Sequence, residues 1–366
     1  MAQAEDARFM AVALTLGRRG LGNTWPNPAV GAVVVKDGTM LGRGWTQPGG
    51  RPHAETIALR HAGKAARGAT LYVTLEPCSH QGKTPPCADA VIRAGISRVV
   101  SAMQDPNPEV AGEGHKRLQA RGIAVDIGTG AEEAARAHAG HIRRIRDKRP
   151  HVLLKLAVSA DGKIAAAGRK PVVLTEEPAR ARTFLLRAQS DAILVGMGTV
   201  MADNPSLTCR LPGMLPRSPV RVVLDARLRV PLAMDVVATA RETPTWIFAG
   251  PQASPMAEQV LRDKGVEVVR VGAKDGILNI NEVLGALAER GITRLMVEGG
   301  ARVAASFVSA GLVDEAVVFH SPKAIGPGGI DALEGMALQS LTKSRKLRAL
   351  GEEMLGADRA EFFERA

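Results

Sequence analysis

Two stretches, "HAETIAL" at 53–59 and "LEPCSHQGKTPPC" at 75–87, decide how this chain reads. The first offers an imidazole and, two positions on, a carboxylate; the second holds two of the chain's three cysteines. Zinc binds thiolate sulfur and imidazole nitrogen, and a catalytic zinc takes three protein ligands and leaves its fourth position to water. His53, Cys78 and Cys87 supply that set, and Glu55 is left over as a carboxylate beside the metal-bound water, where proton shuttling needs one. Residues two apart on a regular helix point to nearly opposite sides. His53 and Glu55 can therefore both face one ion only if it lies beyond the helix end. Pro52 before His53 and Pro85-Pro86 before Cys87 mark two helix starts. Their positive ends would converge on the ion and favour the thiolates. A closed structural zinc would want a fourth ligand; His80 is the nearby candidate, and that reading leaves Glu55 without a task.

Outward from these motifs, strands alternate with helices, the mark of a layered α/β domain. Residues 4–19 read as an amphipathic helix, and "AVGAVVVKDG" with "MLGRGW" as two strands joined at the Asp37-Gly38 turn signal. A helix from about His53, strand "ATLYVTL", helix "CADAVIRAG", strand "SRVVSAM", a helix near 112–121 and strand "GIAVDIG" follow. A single helix over about 130–147 closes this half in the basic run "HIRRIRDKRP" at 141–150, which reads as a solvated linker. The pattern then restarts with "HVLLKLAVS", a helix over 176–189, "DAILVG", "PVRVVLD", "TPTWIFAG", a helix over 255–264, "VEVVRV", a helix over 280–290, "RLMVEGG" running into a helix, and "EAVVFHSP". That is a second α/β domain with a mostly parallel sheet. The expected domains are 1–148 and 149–366.

A chain of 366 residues suits two domains of ordinary size, and 45% hydrophobic residues can fill both cores. Aromatic residues make up only 3%, too few for a base-stacking platform. The net charge of +11 favours anionic partners without saying which. Three cysteines do not make a disulfide framework, so a reducing cytoplasm is expected. The N-terminal stretch has the wrong charge order for a signal peptide, and no apolar run is long enough to span a membrane.

"PNPAVGAVVV", "HAETIAL", "LEPCSHQGKTPPC" and "MQDPNPEV", in this order, closely resemble the bifunctional riboflavin-biosynthesis deaminase–reductases. The zinc-deaminase signature H-x-E with P-C-x-x-C is met here by "HAE" and "PC", with the second cysteine displaced by a longer insert. The resemblance implies a cytidine-deaminase-like three-layer α/β/α domain followed by a dihydrofolate-reductase-like α/β domain. It implies zinc-dependent deamination of 2,5-diamino-6-(5-phosphoribosylamino)pyrimidin-4-one, then NADPH-dependent reduction of the ribosyl group to a ribityl chain. Glu55 would move protons; Asn27 would read the pyrimidine edge; His80 and Lys83 would meet ring or phosphate; Asp105 and Asn107 would line the same pocket.

No G-x-G-x-x-G follows a strand in the second half, but "VEGGARVAASF" runs from a strand through Gly299-Gly300 into a helix, leaving backbone N–H groups free for a pyrophosphate. By position, the resemblance implies cofactor contacts at Val158, Thr199, Asp203, Gly299, Gly300, Ala301, Arg302, Val303, Ala304 and Ala305. It implies substrate contacts at Arg187, Leu207, Arg210 and Glu298, where arginine's planar fork suits phosphate. Where the family often has Ser and, two residues on, Trp, "GRKPVVLT" places Lys170 on the substrate side and Val172 on the cofactor side. Ala226, in place of a frequent Ser, could offer the cofactor only backbone contacts. Cys209 reads as a small buried residue. The competing readings are a nucleic-acid-acting zinc deaminase with a basic binding domain, and a structural zinc protein. No nucleic-acid or membrane partner is expected; a homo-oligomer is left open.

Overall fold

The computed structural model describes every residue except Met1, Lys83 and Glu109. The chain folds as two compact units that divide between Arg149 and Pro150.

The first unit holds α1 (Ala2–Arg18), β1 (Gly31–Lys36), β2 (Thr39–Trp45), α2 (Ala54–Ala62), β3 (Thr70–Val73) and α3 (Cys87–Ala94). It continues through β4 (Arg98–Ser101), α4 (Glu113–Gln119), β5 (Ala124–Ile127), α5 (Ala131–Ala137) and α6 (Ala139–Asp147). The sheet runs β2-β1-β3-β4-β5; β1 is antiparallel to both neighbours, and β3, β4 and β5 are parallel. Alternation along β1 builds three layers. Ala32 and Val34 pack with Ala54, Ala58, Val91 and Leu118 of α2, α3 and α4, while Val33 and Val35 pack with Phe9, Ala13 and Leu14 of α1. β2 carries glycines where α2 crosses: a Cβ on Gly44 would stand 2.4 Å from the Ala54 carbonyl oxygen. That close approach presses the start of α2, with His53 and Glu55, onto the sheet.

The helix expected over 130–147 is two helices, broken at His138 (φ −95°, ψ 10°). Its buried ring turns inward, and Nε2 donates toward the Thr74 carbonyl (3.2 Å) and hydroxyl (3.1 Å) oxygens at the end of β3. The basic run is accordingly the half-buried end of α6 rather than a solvated linker. Burial holds the His138 imidazole down to about 4, and the neighbouring His141 acts in the same direction. The unfolded ring takes its proton near 6.5, so this neutral histidine contributes stability above that pH and loses it as pH falls toward 4, about 3 kcal/mol in all. Urea unfolding at pH 7 and pH 5 should show His138→Gln losing about 2 kcal/mol less than the parent over that interval. An equal loss in both would remove His138 from the acid response.

The second unit comprises β6 (His151–Val158), β7 (Lys163–Ala165), α7 (Glu177–Ala188), β8 (Ala192–Gly196), α8 (Met197–Asp203), β9 (Val220–Leu224) and α9 (Asp235–Ala238). Then come β10 (Thr245–Ala249), α10 (Pro255–Asp263), β11 (Glu267–Arg270), β12 (Ala273–Lys274), β13 (Ile277–Leu278), α11 (Ile280–Glu289) and β14 (Arg294–Val297). The chain ends through α12 (Ala301–Ser309), β15 (Glu315–His320), β16 (Ile330–Asp331), α13 (Gln339–Thr342), β17 (Leu347–Leu355) and β18 (Asp358–Arg365). Nine strands form one sheet in the order β11-β10-β9-β8-β14-β6-β15-β18-β17. β11 through β15 in that order are mutually parallel; β18 and β17 close the edge as an antiparallel hairpin. The central strands are largely apolar and buried on both faces, as parallel strands are, with the wholly buried Arg221 of β9 held by the Thr239 hydroxyl and by backbone carbonyls. That arrangement brings the C-terminal ends of β6, β14, β8 and β9 to one rim, where ligands of open α/β sheets bind.

Candidate active sites

His53 stands just before α2 as its N-cap, in extended conformation, and Cys87 is the first residue of α3. The ion-facing atoms thus lie off two helix ends, which is how a histidine and the glutamate two residues on can face one point. His53 Nδ1 is 3.3 Å from Cys87 Sγ and 3.7 Å from Cys78 Sγ, and the three donor atoms lie within 4.8 Å of one another. Tetrahedral zinc with Zn–S near 2.3 Å and Zn–N near 2.05 Å requires N···S of about 3.6 Å. The donor set fits. The backbone N–H of Cys87 also donates to Cys78 Sγ (3.2 Å). The hydrogen bond from the Cys87 thiol holds Cys78 down to about 4, and by the same contact the Cys78 thiolate pushes Cys87 up. Two thiols sharing one proton is the arrangement a dication relieves. Glu55 is 3% exposed; burial pushes its carboxyl up to about 6, the Cys78 thiolate adds to the rise, and it hydrogen-bonds the Cys87 thiol.

Glu76, not singled out in the sequence, organises the surrounding loops. Its buried carboxylate accepts backbone N–H groups from Asp105 (3.1 Å), Gly112 (2.9 Å), Gly114 (2.8 Å) and His115 (3.3 Å). One side chain therefore ties the Cys78 loop to the "DPNP" loop and the start of α4. A glutamate directly before Pro77-Cys78 was the available signal. Asp105 Oδ1 accepts the Asn107 N–H (2.8 Å) and lies 3.6 Å from His141 Nε2. Burial pushes the Asp105 carboxyl up, but His141 and the Asn107 N–H outweigh it and hold it below the usual range. Asn27 donates its amide to the Gly50 carbonyl (2.8 Å), joining the loop before β1 to the loop before α2. His80 is exposed, and Lys83 lies outside the described residues.

In the second unit a cavity of about 1290 Å³, larger than an ordinary small-molecule pocket, is lined by Val172, Thr199, Asp203, Ala226, Gly300, Ala301, Arg302, Val303 and Ala305. Gly300 caps α12, and its N–H donates to Thr199 Oγ1 (3.1 Å). A Cβ on Gly299 would stand 2.8 Å from that of Val303, so only glycine lets strand and helix meet there. The free N–H groups at the start of α12 suit a pyrophosphate. Three of the expected cofactor residues fall elsewhere. Ala304 is wholly buried and faces the core, Gly299 lies behind the lining, and Val158 lines a second cavity of about 750 Å³. Lys170 is exposed on a turn closed by the Ala166 N–H to its carbonyl; Arg169, not Lys170, joins the cavity wall.

At the ends of β6 and β14, Glu298 takes Arg187 (3.0 Å) and Lys155 (3.2 Å). Burial pushes the Glu298 carboxyl up, but the two cations outweigh it and hold it below its ordinary range. Arg187 also donates to the Thr208 carbonyl (3.0 Å), anchoring the segment of Leu207, which is buried at φ +56°. Arg187 and Arg210 both lie over the Phe184 ring. Lys155 was missed by sequence reasoning, although a lone charge in the apolar strand "HVLLKLAVS" is itself a signal. Cys209 is fully buried.

A family model described as the cytidine and deoxycytidylate deaminase zinc-binding region matches residues 3–103, and the RibD C-terminal domain model matches residues 150–356. The riboflavin biosynthesis protein RibD of Aquifex aeolicus is 42% identical over 362 residues, covering 98% of each chain. The chain belongs to the RibD family. A RibD structure from Acinetobacter baumannii matches with a TM-score of 0.89 at 34% identity, covering 100% of this chain and 99% of that one. A RibD-family structure from Thermotoga maritima, described as a diaminohydroxyphosphoribosylaminopyrimidine deaminase/5-amino-6-(5-phosphoribosylamino)uracil reductase, matches with a TM-score of 0.86 at 35% identity, covering 100% of both chains. Membership makes this protein a bifunctional RibD enzyme of riboflavin biosynthesis, with a zinc-dependent deaminase domain of cytidine-deaminase-like fold and an NADPH-dependent reductase domain of the RibD C-terminal type. The nucleic-acid-acting alternative is not favoured. Among the described residues no helix is long and apolar enough to cross a membrane.

Proposed function

We propose that residues 1–148 remove the exocyclic amine of 2,5-diamino-6-(5-phosphoribosylamino)pyrimidin-4-one as ammonia, and that residues 149–366 use NADPH to reduce the ribosyl group of the resulting uracil to ribityl. The observation that carries the first half is the meeting of His53 Nδ1, Cys78 Sγ and Cys87 Sγ within 4.8 Å beside the buried Glu55. Zinc held by those three atoms supplies a water made nucleophilic at neutral pH. Glu55, buried beside that position, would carry one proton of the water to the ring nitrogen and the second, from the hydroxyl added to the ring carbon, to the amine that leaves as ammonia. Asn27, Asp105 and Asn107, fixed by the loop contacts above, contact the pyrimidine. His80 and Lys83 reach ring or phosphate.

In the reductase half the N–H groups at the start of α12 hold the cofactor pyrophosphate, while Arg187, Arg210 and the Leu207 segment hold the phosphorylated sugar beside Glu298. Arg187 and Arg210 are the anion-pairing groups at that rim, in keeping with a phosphorylated substrate. The cysteine ligands must stay reduced, which fits a cytoplasmic enzyme. The partner is thus a small phosphorylated pyrimidine rather than nucleic acid or a membrane.

Elemental analysis alongside ammonia release from the diaminopyrimidine phosphate tests the deaminase reading. One zinc per chain is expected, with ammonia release lost on chelation and restored by zinc. Full release from metal-free protein would overturn it.

A further inference from the structure

The cavity that would take the dinucleotide runs from Ile164, Ala165 and Val172, past the C-terminal end of β8 and the start of α12, to the loop after β9. Strands are spaced about 4.8 Å apart, so β6 and β9 are about 14 Å apart, a separation that an extended dinucleotide can bridge. With the pyrophosphate at α12 and the reacting end toward Val172, the adenosine end falls on the loop after β9 and on residues 275–278, which line the same cavity.

That loop is built to present two cations. The buried Asp225 carboxylate accepts the backbone N–H groups of Arg227 (3.4 Å), Arg229 (2.6 Å) and Val230 (2.9 Å), and Leu228 between the arginines is buried in the core at φ +52°. A left-handed leucine is a strained conformation that persists only where its surroundings impose it. Here it anchors the turn while Arg227 and Arg229 stay exposed on the cavity wall, the Arg227 guanidinium against Gly276. The other two cavity arginines, Arg169 and Arg302, are both paired to Glu334. Neither the Arg227 nor the Arg229 guanidinium has an ion-pair or hydrogen-bond partner among the described residues, although Asp275 lies on the same wall.

We propose that Arg227 and Arg229 bind the 2′-phosphomonoester of the cofactor's adenosine and so set the preference for NADPH over NADH. The proposal rests on the reading of this unit as the reductase. It also answers what replaces side-chain chemistry at Ala226, since the next arginine supplies a fork suited to a phosphate dianion.

Calorimetric binding of 2′,5′-ADP and 5′-AMP to the full-length protein isolates this phosphate without turnover. The parent should bind 2′,5′-ADP at least about tenfold more tightly than 5′-AMP. Arg227→Ala and Arg229→Ala should each weaken 2′,5′-ADP about tenfold and leave 5′-AMP within about twofold. Arg227→Lys and Arg229→Lys, which keep the charge and lose the fork, should fall between, and they preserve the test if an alanine variant does not fold. Parent-like selectivity in folded alanine variants would overturn the assignment of these arginines while the cofactor reading stands. A parent that does not distinguish the two nucleotides would instead bring down the NADPH reading, and the assignment with it.

Discussion

Glu55→Gln should reduce ammonia release by about 10²- to 10⁴-fold, the range contributed by a positioned acid–base group, with one zinc per chain retained. The substitution is chosen for its shape. Glu55 is 3% exposed and sits in the first turn of α2 directly after the ligand His53, so truncation would open space beside the metal corner and confuse loss of chemistry with loss of metal. Glutamine fills the same volume and still reaches the Cys87 thiol, but it cannot take a proton from water and return it to a leaving amine. Reduction of already deaminated substrate, in the other unit, should continue. Full-rate deamination by the zinc-loaded variant would remove Glu55 from the proton path.

How much of this was legible in the sequence follows from what each feature needs from its residues. A metal corner needs particular donor atoms, and these are rare enough to stand out: with only three cysteines in the chain, "HAE" and "PC…C" could be joined before any geometry was known. The buried parallel strands were legible for a similar reason, because strands covered on both faces read as near-continuous apolar runs, interrupted here only by single charges such as Lys155 and Arg221. β17 and β18 were not anticipated. β17 is exposed along almost its whole length and reads "LRALGEEML", since an edge strand wetted on both faces needs no apolar alternation. The break at His138 was hidden because the surrounding residues suit a helix, and the break is made by a tertiary contact with Thr74. Glu76 announced itself only by its place directly before Pro77-Cys78: its partners are backbone N–H groups, which carry no sequence signature.

Arg187→Met should abolish most NADPH oxidation, by 100-fold or more, and should also destabilise the second unit. The two effects have separate causes. Glu298, with its side chain 15% exposed, keeps only Lys155 as a counter-charge once Arg187 is gone; a buried pair broken from one side typically costs about 3–5 kcal/mol. Lys155 at 3.2 Å should hold the loss toward the lower figure. The activity loss is expected because the Thr208 carbonyl loses its guanidinium partner, so the Leu207–Arg210 segment is no longer anchored, and because the proposed phosphate site loses a cation. Adding Glu298→Gln to Arg187→Met removes the stranded charge and should recover much of the urea-unfolding stability, while NADPH oxidation stays as low as in the single variant. Recovery of activity together with stability would mean that Arg187 serves only to neutralise Glu298; stability that returns alone, with Glu298→Gln by itself keeping more activity than the double variant, assigns the guanidinium to the site.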